Sequence, residues 1–93
     1  MLGNDLNEFM DDMYHNPEKE IVYRGKKYMI TGFVDKKCEL YTLEIYTIEK
    51  NSKELFKHTS NVRSKCVEAF EKAKIFDGKT IYEAEKDIEV LFG

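Results

Sequence analysis

Asp77-Gly78-Lys79-Thr80 holds the residue types of a phosphate-binding loop: a free-turning glycine, a lysine and a hydroxyl. That motif needs another glycine five positions before Gly78, and position 73 is alanine. It also needs a strand ahead of it, whereas the preceding residues carry a helical period. The stretch reads instead as architecture. Asp77-Gly78 signals a turn, with Gly78 suited to the left-handed position that closes a helix. Thr80 and Glu83 have capping-box spacing: the Thr80 hydroxyl accepts from the Glu83 amide, and the Glu83 carboxylate accepts from the Thr80 amide.

Other reactive side chains are few. Cys38 and Cys66 lie 28 residues apart with no CxxC pair, and in a reducing compartment they read as small apolar residues rather than a disulfide. A zinc site would have to recruit His15 and His58, at spacings unlike any compact finger. His15 falls at a helix end and His58 at a strand end, both ordinary structural or solvated places. The acids Glu83, Glu85, Asp87 and Glu89 divide over two helical faces. No catalytic residue, metal or cofactor is expected, and the chain reads as a non-enzyme.

Charge is distributed unevenly. The net charge is −3, yet residues 1–18 carry Asp5, Glu8, Asp11, Asp12 and Glu18 with no lysine or arginine. Residues 19–37 carry Lys19, Arg24, Lys26, Lys27, Lys36 and Lys37 against Glu20 and Asp35. From 77 onward five acids stand against Lys79 and Lys86. Acidic ends thus flank a basic hairpin, and the two either face each other or solvate the surface. Arg24, Lys26 and Lys27, with Tyr23, Tyr28, Tyr41 and Tyr46, are the residues that would stack bases beside phosphates. A sequence pI of about 5.4 and the acidic ends argue against direct nucleic-acid binding. Protein contact through an exposed tyrosine-rich sheet face, using Tyr23, Arg24, Lys26, Tyr41 and Tyr46, fits better, because Tyr and Arg are favoured at interfaces.

These residues must be positioned by a small scaffold. Ninety-three residues, 42% hydrophobic and 35% charged, suit one packed domain spanning 1–93 with a well-solvated surface. The chain has no apolar run of membrane-helix length, and its start lacks the pattern of a signal peptide, so a cytoplasmic protein is expected. Leu6, Phe9, Met10 and Met13 form one helical stripe in the segment Asn4 to Asn16, which Asn4 or Asp5 caps and Pro17 ends. Extended runs follow at EIVYR, KYMITGFV, CELYTLEIYTIE and KELFKH, with a bulge expected near Thr42 or Glu44. A second helix carries Val62, Cys66, Ala69, Phe70 and Ala73, and a third carries Ile81, Ala84, Ile88 and Leu91. The expected fold is α+β: an N-terminal helix, an antiparallel meander of three to four strands, and two C-terminal helices on one face.

Three stretches, NEFMDDM, YRGKKYMITGF and CVEAFEKAKIFDGKTIYEAEKDIE, together resemble a family of short bacterial proteins of uncharacterised function, seen mostly in Firmicutes. The resemblance spans nearly the whole chain, and IFDGKTIYEAEKDIE is its most specific piece. It implies no activity. In element order and acidity the chain is also similar to small anti-CRISPR proteins, which resemble duplex DNA in charge and block a nuclease; the basic hairpin departs from them. Two expectations follow. One is a protein-interaction or regulatory module that binds a protein partner or a second copy. The other is an acidic DNA-mimic inhibitor using Asp5, Glu8, Asp11, Asp12, Glu83, Glu85, Asp87 and Glu89.

Overall fold

A computed structural model describes residues 1–49 and 51–93. Helix α1 (Leu6–Met13) leads into strands β1 (Lys19–Tyr23), β2 (Lys26–Asp35), β3 (Leu40–Thr47) and β4 (Glu54–Ser60). Helices α2 (Arg63–Lys72) and α3 (Ile81–Ala84), a 3₁₀ turn (Glu85–Asp87) and strand β5 (Ile88–Phe92) complete the chain. The sheet is antiparallel, in the order β4-β3-β2-β1-β5.

The first four strands form the expected meander; the fifth corrects the expectation of a closing helix. The capping box at Thr80 and Glu83 forms as its spacing requires, but the helix it starts lasts four residues. The β-branched and aromatic run IEVLF then pairs with β1, where a sheet edge offers it a full ladder. Ile88 remains in the core, as a strand residue; Leu91 does not reach it and is exposed.

The turn at Asp77-Gly78 is also corrected. Helix α2 ends at Lys72, and Ala73 is already extended. Asp77 and Gly78 both have positive φ, and Phe76 and Lys79 exchange both backbone hydrogen bonds. That is a two-residue turn of the primed type, rather than a helix cap. Arg24-Gly25 joins β1 to β2 with the same signs of φ. The bulge of β3 falls later than expected, between Ile45 and Tyr46 against β4.

Strand alternation puts Ile21, Tyr23, Tyr28, Ile30, Tyr41, Leu43, Ile45 and Ile88 on one face of the sheet. Against it pack Phe9, Met10 and Met13 of α1, Cys66, Val67 and Phe70 of α2, and Ile81 and Ala84 of α3. Arg63 ties two of the helices together. It opens α2, yet its guanidinium donates to the carbonyl oxygens of Tyr14 (2.9 Å) and His15 (3.4 Å) at the end of α1. A cation there complements the negative end of the α1 dipole.

Lys19 alternates onto the core face and is fully buried. Its Nζ donates to Asp12 Oδ2 at 2.7 Å and to the Gly93 carbonyl at 3.3 Å, and lies 5.1 Å from the Phe9 ring centroid. An ammonium taken out of water needs such partners. No helix among the described residues is long and apolar enough to cross a membrane.

Candidate functional site

Among the described residues the helices α1, α2 and α3 cover one face of the sheet, and the other is left to solvent. Register assigns its side chains. Val22 pairs with Lys27 and Glu20 with Met29 across β1 and β2. Met29 pairs with Tyr46, Thr31 with Glu44, and Phe33 with Thr42 across β2 and β3. On β5, Glu89 stands beside Val22 and Phe92 beside Glu20. Val22, Met29 and Tyr46 form an apolar seam and are half-buried; Phe92 (60% exposed) stands beside it, and Phe33 (49%) lies farther along β2, beyond Thr31. Thr42 and Thr59 hydrogen-bond across β3 and β4 at 2.9 Å, and Glu44 pairs with Lys57 at 3.7 Å.

Of the five residues expected to make a tyrosine-rich contact face, only Tyr46 is found there. Tyr23 and Tyr41 are buried on the opposite face, and that part of the expectation is corrected. The reason is strand phase: Tyr23 shares its side with Ile21, and Tyr41 with Leu43 and Ile45. Tyr23 packs edge-on against Phe76 and Tyr28, at centroid distances of 5.4 and 6.4 Å. Tyr41 lies over Gly32, where an added Cβ would run into its hydroxyl and come 2.6 Å from Pro17 Cγ. The Arg63 guanidinium sits 4.7 Å from the Tyr41 ring centroid. Arg24, in the β1–β2 turn, donates from Nε and Nη2 to Asp87 Oδ2, both at 3.2 Å. That charge-assisted contact raises the guanidinium pKa further. Lys26 and Lys27 are exposed.

The eight acids expected to imitate a nucleic-acid backbone are dispersed, and five of them hold local structure, Glu85 through the amino group of Met1 at 4.0 Å. Asp5 caps α1 by accepting from the Asn7 and Glu8 amides. Asp12 holds Lys19, Asp87 holds Arg24, and Glu83 completes the capping box, where the Thr80 amide lowers its pKa. Glu89 lies on the bare sheet face, away from Glu8 and Asp11 on α1. The expected facing of basic hairpin and acidic ends is realised in Lys19–Asp12 and Arg24–Asp87.

A second cluster lay hidden in the sequence because it joins three helices. Asp11 and Tyr14 of the α1 end, Glu68 and Glu71 of α2, and Tyr82 of α3 converge. Burial first, then Glu71, Glu68 and Asp11, raises the Tyr14 phenol; burial, then Glu71 and Tyr14, raises that of Tyr82. Glu68 and Glu71 are far along the chain from Tyr14, so no local pattern announces the cluster.

Cys66 and His58 come together, although eight residues apart. The buried Cys66 Sγ lies 3.5 Å from His58 Nδ1, 3.4 Å from the His58 carbonyl and 3.6 Å from that of Tyr41. Burial raises the thiol pKa, which favours the protonated donor over a nucleophilic thiolate. Cys38 is exposed in the β2–β3 turn. Among the described residues there is no internal pocket and no group of His, Cys, Asp or Glu fit to hold a metal ion. No protein-family model matches the chain, and neither does any curated protein or solved structure.

Proposed function

We propose that the chain is a non-enzymatic interaction module whose working surface is the bare face of the sheet. The observation that supports this is the one-sided packing: the helices among the described residues cover the same face, and the opposite face keeps an apolar seam of Val22, Met29 and Tyr46, with Phe92 beside it and Phe33 exposed farther along β2. Apolar and aromatic residues gathered on a surface mark contact sites more than scattered ones do. The Cys66–His58 pair, the nearest approach to a nucleophile and base, holds its proton among backbone carbonyls inside the core.

The reading is tested by comparing wild type with Met29→Asp on the sheet and Glu71→Lys on the helices. Binding to any protein, whether captured from nuclease-treated lysate or a second copy, is expected to fall at least about tenfold in Met29→Asp and to persist in Glu71→Lys. The opposite pattern, with capture released by moderate salt and displaced by duplex DNA, would replace the sheet face with an acidic helix-side mimic.

A further inference from the structure

The bare face contains a block that is complementary to itself. On neighbouring strands β1 and β2, Val22 stands opposite Lys27 and Glu20 opposite Met29. One diagonal of this rectangle is apolar, Val22 and Met29. The other is ionic, Glu20 and Lys27. Neither ionic residue has an ion-pair partner among the described residues.

A two-fold axis lying in an interface along the apolar diagonal carries Glu20 close to Lys27, within reach of both side chains. It sets Val22 against Val22 and Met29 against Met29 of a second copy, and each Glu20 against the other copy's Lys27. Tyr46, opposite Met29 on β3, falls close to the same line. Resting on the sheet-face reading, we infer that the occupant of this face is a second copy of the chain, joined by two reciprocal Glu20–Lys27 ion pairs around a Val22–Met29–Tyr46 seam.

Such an interface is isologous, so it closes at two subunits. Because the axis runs diagonally to the strands, the two sheets cross at a steep angle, one of the two standard ways sheets pack. Charges of this kind fix register and partner choice more than affinity. Five strands spaced about 4.8 Å apart span about 19 Å, which puts the contact at the small end of specific interfaces. The dimer is therefore weak and dependent on concentration.

Sedimentation velocity of the full chain over a range of concentrations tests the inference. A monomer–dimer equilibrium is expected. Glu20→Lys and Lys27→Glu each turn two attractions into two repulsions and should weaken the dimer at least about tenfold. The double exchange, Glu20→Lys with Lys27→Glu, restores the pattern and should return affinity to within about threefold of wild type. Circular dichroism checks that each variant is folded, and Glu20→Gln reads the same contact if Glu20→Lys disturbs β1. A chain that stays monomeric to millimolar concentration overturns the inference, and so does a dimer indifferent to the single exchanges or not rescued by the double one. If the monomer still loses another protein's binding in Met29→Asp, the sheet-face reading survives alone. A dimer unaffected by Met29→Asp overturns both.

Discussion

Lys19 is the residue whose position asks most of its surroundings. Its side chain is wholly buried, while Asp12, its partner, remains 42% exposed. The two halves of such a pair differ in consequence. Removing the cation with Lys19→Met leaves a shape the core accepts and an aspartate still able to reach water, so stability should change by no more than about 1 kcal/mol. Removing the anion with Asp12→Ala strands the ammonium with one carbonyl and one ring, and should cost about 1–3 kcal/mol. Urea denaturation of the two variants measures this. Equal losses would mean that the pair itself, rather than the relief of a buried charge, sets the energy.

At the level of elements, most boundaries were legible because period and punctuation agree. The 3-4-7 spacing of Leu6, Phe9, Met10 and Met13 located α1, and the capping-box spacing of Thr80 and Glu83 located the start of α3. Two kinds of information were not local. The sequence EAEKDIEVLF carries helix formers and then strand formers, and only the open edge of β1 decides where one gives way to the other. Likewise the face of each tyrosine depends on strand register: Tyr41 and Tyr46 lie five residues apart on one strand and therefore on opposite sides. The short helix α3 relies on its cap, which gives a pH dependence of known sign. Because the Thr80 amide lowers the Glu83 pKa in the folded chain, this contact stabilises at pH above the ordinary carboxylate range and is lost as pH falls through the lowered value. Glu83→Gln should abolish that portion of the acid limb. A denaturation midpoint measured against pH checks it, and an unchanged slope would show that the capping contact is not linked to folding.

For the molecule as a whole, the two cysteines report how the structure opens. Cys38 is exposed in a turn, whereas Cys66 lies in the core between α2, β3 and β4. Alkylation of native protein should modify Cys38 first, with Cys66 slower by about 10³-fold or more, the scale of the folded-to-unfolded ratio. Comparable rates would mean that α2 lifts from the sheet without global unfolding.

The two edges of the sheet are also unlike. Leu2 runs parallel to β5, donating to the Ile88 carbonyl and accepting from the Val90 amide, so that edge is already occupied along part of its length. β4 has no such cover among the described residues. A sheet that could recruit strands at both ends would elongate without limit; one with a stopper at one end has a valence of one. Strand exchange through β4 alone therefore ends at a pair, and the sheet edges by themselves avoid the fibrous fate open to two-ended sheets.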